Sequence, residues 1–255
     1  MKILLLDTSS KFLSLAVAED DKVLSRMHRL LDRKHSTRLI SFMDKILKRA
    51  GVPLERIDGF CVNKGPGSFT GLRIGITTIK GLAYALRKPV VAIPSLDILA
   101  QNTCPVRNRK FSLPFQVCPI VDAKQNKVYA CLYQLRNGKI KRKSGYLLLP
   151  IEELLKKIKG GIFFLGDGVG LYREKISQNK NIRPVFAEEK IWYPEAVRAV
   201  SLALERFREG KLDDVNSLVP LYLYPKECQI KKSPINWATT LRYCSCLIYQ
   251  AKRVR

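Results

Sequence analysis

Apolar positions along the first hundred residues follow two different periods. Short apolar or alternating runs, typical of strands, are interspersed with longer segments in which apolar residues recur every three or four positions, as in helices. The runs predict strands at 3–7, 12–18, 23–29, 57–63 and 89–93. The longer segments predict helices at 36–50, from a glycine-rich loop to about residue 86, and at 95–101. Together they form one mixed α/β unit.

A second unit follows a polar, basic and proline-containing stretch at 102–115, which we interpret as a linker. The pattern predicts strands at 117–121, 128–135, 140–149 and 161–165, with helices at 151–158 and from Pro194 to about Arg208. Because both units open with three strands, we expect two related lobes. We place the N-terminal lobe at 1–103, completed by the helix at 194–209, and the C-terminal lobe at 104–193. A return segment at 210–237 and a tail at 238–255, for which we have no interpretation, complete the chain.

Composition narrows the class of protein. No apolar run approaches the ~18 residues that a membrane span needs, and the apolar run after Lys2 ends at Asp7, which is too early for a signal peptide. The seven cysteines are scattered without a C-x-x-C pair, which excludes the usual zinc and redox motifs and indicates a reducing, cytosolic compartment.

The net charge favours binding to polyanions but does not establish it. Forty-six lysines and arginines against 22 acidic residues give a formal net charge of +24. Such a field attracts nucleic acid, although a solvated basic surface would have the same composition.

Small, acidic and hydroxyl-bearing residues follow three of the predicted strands. A carboxylate at the carboxyl end of a central strand is well placed to hold a hydrated divalent ion against nucleotide phosphates. The alternative is that each aspartate forms a turn or caps a helix. The candidate nucleotide- or phosphate-binding residues are Asp7, Thr8, Ser9, Asp122, Gly166 and Gly168.

A glycine-rich loop at 65–71 introduces the second helix. It lacks the Gly-Lys-Ser/Thr of a P-loop and the spacing of a dinucleotide fingerprint. Two interpretations stay open: the free N–H groups of the helix start hold an anion, or the loop is a tight turn that joins strand to helix.

The segment GPGSFTGLRIG at 65–75 closely resembles the signature of the TsaB (YeaZ) family. The opening ILLLDTS at 3–9, the stretch from VDA at 121–123 to VY at 128–129, and VPLYL at 219–223 are similar to that family in the same order. The resemblance spans about residues 1–237. Its signature positions are Gly65, Pro66, Gly67, Ser68, Phe69, Thr70, Gly71 and Arg73.

The resemblance implies a two-lobed fold of the sugar-kinase/actin/heat-shock-ATPase superfamily, with mixed sheets. It also implies a cytoplasmic, non-catalytic subunit that supports a catalytic paralogue, TsaD, which transfers threonylcarbamoyl to adenosine beside the anticodon of tRNA. A TsaE-type ATPase completes the set, and tRNA is met through the complex. No cofactor is required, while ATP or ADP at the complex and a homodimer of the chain alone are left open.

One difference from the catalytic paralogue indicates that this chain is a partner subunit and not an enzyme. The catalytic paralogue carries a metal-binding His-x-x-x-His pair after the strand that follows the glycine loop. Ser95 and Leu99 stand at those positions here. Leucine offers no lone pair and serine is a weak ligand, so we expect no metal and no catalytic residue. The histidines of the chain, His28 and His35, are expected at the surface.

Two helices are candidates for a partner interface, because their apolar residues are not confined to one narrow face. Glycines inside the second helix indicate close helix packing. Packing against the sheet is the alternative for each face. The predicted interface residues are Leu39, Ile40, Phe42, Met43, Leu47, Ile74, Gly75, Thr78 and Leu82.

Two rival functions remain from the sequence. A small-molecule kinase of the same superfamily would use Asp7 and Asp122 with magnesium, but the turn after Asp7 lacks the Gly-Thr pair that wraps phosphates. A stand-alone RNA-binding module would bind tRNA tightly and in a salt-dependent way. No basic platform interleaved with aromatic residues is visible along the sequence.

Overall fold

The first half of the chain builds a five-stranded sheet in the order β3-β2-β1-β4-β5. Its strands are β1 (Lys2–Asp7), β2 (Phe12–Glu19), β3 (Lys22–Leu30), β4 (Gly59–Gly65) and β5 (Val90–Pro94). β1 runs antiparallel to β2 and parallel to β4, and β4 runs parallel to β5. The carboxyl ends of β1, β4 and β5 therefore lie at one edge of the sheet.

Helices cover both faces of this sheet because its strands are apolar on both sides. Leu4 and Leu6 of β1 face α1 (His35–Ala50) and α2 (Phe69–Leu86), whereas Ile3 and Leu5 face α6 (Val200–Arg208) and the 3₁₀ turn Ala196–Ala199. A further 3₁₀ turn spans Leu54–Arg56.

The described residues of the second half form seven strands around the central β6. Its strands are β6 (Phe115–Asp122), β7 (Lys127–Ala130), β8 (Tyr133–Arg136), β9 (Lys139–Arg142), β10 (Leu147–Pro150), β11 (Gly160–Leu165) and β12 (Ile182–Phe186). β6 pairs parallel with β11 and antiparallel with both β7 and β8. The remaining helices are α3 (Ser95–Gln101), α4 (Ile151–Lys156) and α5 (Gly168–Ser177), with a 3₁₀ turn at Glu189–Ile191.

α3 joins the two sheets. It follows β5 of the first sheet directly, yet Leu96, Leu99 and Ala100 are buried against residues of the second, among them Val117 and Tyr133. This packing brings the carboxyl ends of β1 and β4 into the neighbourhood of the carboxyl ends of β6 and β11.

The second half departs from the predicted elements in three ways. The helix predicted from Pro194 begins only at Val200, after the 3₁₀ turn Ala196–Ala199. The strands predicted at 128–135 and 140–149 are each two strands, because the chain changes pairing partner: β7 pairs with β10, and β8 with β9. The sequence interpretation also missed α5 and β12. Gly166 and Gly168, just before and at the start of α5, were predicted to bind phosphate, and no helix was predicted after them.

The structure, a computed structural model, describes residues 1–31, 35–103, 115–136 and 138–224, without the side chains of 35–37. The predicted tail at 238–255, residues 225–237 of the return segment and residues 104–114 of the linker lie outside the described residues. Cys61, Cys118 and Cys131 are buried free thiols. Within the described ranges, no helix is long and apolar enough to cross a membrane.

Candidate functional site

A cleft of about 830 Å³ lies between the strand ends of the two sheets. One wall is formed by the turn after β1 and the glycine-rich loop, and the other by the ends of β6 and β11. The segment at 192–194 closes one side. Residues that line the cleft include Ser9, Ser10, Lys11, Gly67, Ser68, Thr70, Asp122, Lys124, Asp167, Trp192 and Tyr193.

Asp7 lies behind the cleft wall, in a buried hydrogen-bond network. Its Oδ1 accepts hydrogen bonds from the backbone N–H and the hydroxyl of Ser9, both at 2.8 Å. Its Oδ2 accepts one from Nδ2 of Asn63 at 2.5 Å. Asn63 Oδ1 in turn accepts hydrogen bonds from the Ser95 hydroxyl, at 2.7 Å, and from the N–H of Gly65, at 2.8 Å. One carboxylate thus connects β1, β4 and the start of α3.

Burial sets the electrostatics of this network. It raises the pKa of Asp7 to about 6, against the lowering effect of the hydrogen bonds from Asn63 and Ser9. Asp7 is 1% exposed, so in this conformation it orders the turn instead of facing the cleft. Phosphate binding by Asp7 stays a prediction. Sequence reasoning missed Asn63, although a polar residue at the carboxyl end of a buried strand is a recognisable signal.

Three glycines of the signature allow the glycine-rich loop and α2 to pack closely against the turn after β1. A Cβ on Gly67 would lie 2.3 Å from the carbonyl oxygen of Ser9, and a Cβ on Gly71 would lie 2.0 Å from that of Thr8. A Cβ on Gly75 would lie 2.3 Å from the Thr8 hydroxyl. The Thr8 hydroxyl donates a hydrogen bond to the carbonyl of Gly71 at 2.7 Å. Because these glycines recur every four residues, the first two turns of α2 can pack directly against the turn after β1.

The other signature residues stabilise the start of α2 and contact the segment that contains Tyr222. Ser68 caps the helix by accepting a hydrogen bond from the N–H of Gly71 at 3.2 Å. The Arg73 guanidinium lies 3.8 Å from the ring centroid of Phe69 and donates to the Tyr222 hydroxyl at 3.2 Å. Pro66, Phe69 and Thr70 line the cleft, whereas Arg73 is not among the lining residues.

Carboxylates form the wall contributed by the second sheet. Asp122 accepts hydrogen bonds from the backbone N–H of Lys124, at 2.9 Å, and from its ammonium, at 2.5 Å. Asp167 accepts one from the N–H of Asp122 at 3.0 Å. Burial, followed by the charge of Asp122, raises the pKa of Asp167.

Gly166 and Gly168 have a packing role. A Cβ on Gly166 would lie 2.2 Å from the carbonyl oxygen of Ile120, and one on Gly168 would lie 3.0 Å from the same atom. Gly166 also has φ +101°, which disfavours other residues. These contacts set the end of β11 against β6, and their predicted contact with phosphate stays a prediction.

The side chains of Ser95 and Leu99 both lie in the protein interior. The Ser95 hydroxyl donates to Asn63, and the Leu99 side chain is fully buried. Among the described residues, His, Cys, Asp and Glu side chains form no group of three that could hold a metal ion. His28 lies exposed on β3, and the side chain of His35 lies outside the described residues.

The predicted interface residues divide into two groups. Leu39, Phe42, Met43, Leu47 and Gly75 are buried, and their place in a partner interface stays a prediction. Ile40 is 60% exposed, and Ile74, Thr78 and Leu82 are partly exposed. A hollow of about 570 Å³ lies beside α1 and α2, lined by Ile40, Met43, Leu47, Leu82 and residues 51–55 among others.

Comparisons with known proteins agree on a family. The family model described as "TsaD: tRNA N6-adenosine threonylcarbamoyltransferase" matches residues 27–232. The Bacillus subtilis protein named "tRNA threonylcarbamoyladenosine biosynthesis protein TsaB" is 31% identical over 91% of this chain and 97% of its own length. The chain belongs to the TsaB (YeaZ) family.

Two further relatives match most of this chain. The Escherichia coli TsaB protein is 29% identical over 88% of this chain and 94% of its own length. The solved structure of YeaZ from Pseudomonas aeruginosa is 31% identical, covers 87% of this chain and 99% of its own, and superposes with a TM-score of 0.75. The two-lobed α/β fold with mixed sheets that was expected of the family is thereby confirmed.

Proposed function

We propose that this chain acts in the biosynthesis of threonylcarbamoyladenosine in tRNA, as a non-catalytic subunit that binds a TsaD-type transferase. Membership of the TsaB family and the names of the relatives support the pathway. The non-catalytic role is supported by Ser95 and Leu99, which stand at the positions expected for metal-binding histidines. A hydroxyl that donates to Asn63 and a fully buried leucine are poor substitutes for two imidazoles.

The surface proposed for the transferase is formed by α1 and α2. Ile40 is a large apolar side chain that is 60% exposed, and it borders the hollow shared with Leu82. An exposed apolar residue at the rim of an apolar hollow is typical of a site that a partner helix covers. The buried members of the predicted set, such as Phe42, support this surface from below. A TsaE-type ATPase, tRNA, and ATP or ADP at the assembled complex belong to the same proposal.

Co-purification with a TsaD-type paralogue tests the proposal, followed by a tRNA modification assay with and without this chain. We expect Ile40→Asp to weaken co-purification at least about tenfold, because a charge would be buried in the interface. Leu171→Asp is the matched control, since Leu171 is 63% exposed on α5 of the other lobe.

Two results would contradict the proposal. Modification that proceeds normally without this chain would remove its role in the pathway. Substrate-dependent release of ADP by the isolated chain would favour the small-molecule kinase instead.

A further inference from the structure

Four side chains from three distant segments form a row beside the cleft, which we call the aromatic platform: Lys11, Phe12, His28 and Tyr193. The Phe12 and His28 rings are stacked, with centroids 4.4 Å apart and planes 10° apart. The Tyr193 ring contacts Phe12 with a centroid distance of 4.9 Å. The Lys11 ammonium lies 4.7 Å from the Tyr193 centroid and 5.7 Å from that of Phe12.

The fold holds these rings in place. His28 pairs with Ser14 across β2 and β3, so Phe12, two residues before Ser14, lies diagonally opposite His28 on the same face. Tyr193 is held because its carbonyl accepts a hydrogen bond from the Asn102 amide at 2.9 Å. The Ser14 hydroxyl also accepts a hydrogen bond from the N–H of Ala196 at 2.9 Å. The platform is therefore assembled before any ligand arrives.

Its accessibility and charge suit an anionic, planar ligand. His28 is the exposed end of the row, and the Lys11 side chain is 49% exposed. Arg26 is exposed two residues before His28 on the same strand. Three acidic residues lie nearby. The Glu189 carboxylate is 3.9 Å from the Lys11 ammonium, the charge of Asp167 also acts on Lys11, and that of Glu195 acts on His28. The whole chain carries +24.

We propose that the aromatic platform binds single-stranded RNA, with an unpaired base stacked on His28 and a neighbouring phosphate held by Lys11. Aromatic rings beside basic side chains are the usual means of binding unpaired bases, because every base has a face that can stack. The choice of RNA rests on the proposed function in tRNA modification. Lys11 also lines the cleft, so a strand on the platform would pass along its rim.

Binding of an RNA stem-loop with 2-aminopurine in its single-stranded loop tests this inference on the isolated full chain. We expect the fluorescence to be quenched on binding, and His28→Ala to weaken affinity about tenfold and abolish the quenching. Tyr84→Ala is the control, because Tyr84 is an aromatic residue 79% exposed on α2, away from the platform. Lys11→Ala should lower the slope of log affinity against log salt by about 1. Lys48→Ala, another exposed lysine with an acidic neighbour, serves as its control.

Equal losses for His28→Ala and Tyr84→Ala, or equal affinity for a fully paired RNA duplex, would overturn the inference. Thermal unfolding of each variant shows whether the fold is retained. The measurement needs no transferase. If the platform does not bind RNA, the fluorescence assay fails while co-purification and tRNA modification are unaffected. If the proposed function is wrong, co-purification or modification fails while base stacking can still be measured by fluorescence.

Discussion

At the scale of single residues, the signature glycines are close-approach positions. Gly71→Ala would place a Cβ 2.0 Å from the carbonyl oxygen of Thr8, and neither backbone can move freely. We expect the free energy of unfolding to fall by about 2 kcal/mol or more, as in other overpacked sites. Urea denaturation followed by circular dichroism measures the change.

Gly81→Ala is the matched control on the same helix. A Cβ at Gly81 would meet no heavy atom within 4 Å, and alanine has the higher helix propensity. We expect a gain of about 1 kcal/mol in the free energy of unfolding. If both variants were stabilised, the close approach would have no energetic consequence.

Asp7 predicts an unusual pH dependence of stability. Its folded-state pKa is about 6, against a usual 3.8, so the native state binds more protons than the unfolded state between those values. Stability therefore falls as pH rises through this window, by up to about 3 kcal/mol for this group. Denaturant titrations from pH 4 to 7 should show the fall in the wild type and a smaller one in Asp7→Asn. Identical slopes would contradict a buried titrating carboxylate.

Residue-scale prediction from the sequence found the right segments but not the right contacts. Asp7 was recognised as a strand-end carboxylate, yet its partner Asn63 comes from another strand 56 residues away. Likewise, no aromatic platform was visible, because Phe12, His28 and Tyr193 meet only through strand pairing and a long return of the chain. A local sequence pattern indicates hydrophobic periodicity and turn-forming residues. It does not indicate which distant side chains become neighbours in the fold.

At the scale of elements, most strands and helices were predictable from hydrophobic period. α3 at Ser95–Gln101 has the predicted bounds, and β1 and α1 differ from prediction by one residue. The split between β7 and β8 was not predictable, because the apolar run from Val128 to Tyr133 continues unbroken across it. Both strands pair with β6, and what changes is the second partner, which is β10 for β7 and β9 for β8.

The segment after α6 is tied to the edge strand β5 by one carboxylate. Asp213 Oδ2 accepts a hydrogen bond from the N–H of Ala92 at 2.8 Å and lies 3.0 Å from the Arg206 guanidinium. Arg206 also donates to the carbonyl of Ala92 at 2.7 Å. The Asp213 side chain is 18% exposed, so its removal would leave poorly solvated groups unpaired.

We therefore expect Asp213→Ala to lower the free energy of unfolding by about 2 kcal/mol. Asp214→Ala is the neighbouring control, because Asp214 accepts exposed hydrogen bonds only from Asn216 and Ser217, close in sequence. Differential scanning calorimetry of the two variants checks the difference. A control as destabilised as Asp213→Ala would mean that the edge contact contributes nothing specific.

At the scale of the whole molecule, a partly buried polar contact on α3 adds to the apolar packing that joins the two sheets. Asp97 accepts a hydrogen bond from the Tyr133 hydroxyl at 2.5 Å and another from the Tyr146 hydroxyl at 2.7 Å. Both tyrosines belong to the second half, whereas α3 continues from β5 of the first. Burial raises the pKa of both phenols, so they stay protonated donors at neutral pH.

Replacing both tyrosines by phenylalanine should loosen the second sheet from α3 without melting the first. We expect each single variant to cost about 1–2 kcal/mol and the double variant to be non-additive, because both hydroxyls serve one carboxylate. Hydrogen exchange should rise in β8 and β9 and stay unchanged in β1. Tyr172→Phe on α5 is the control, since Tyr172 lies outside this contact. Uniform acceleration across both sheets would instead show that the halves unfold as one cooperative unit, with Asp97 as only one of many contacts between them.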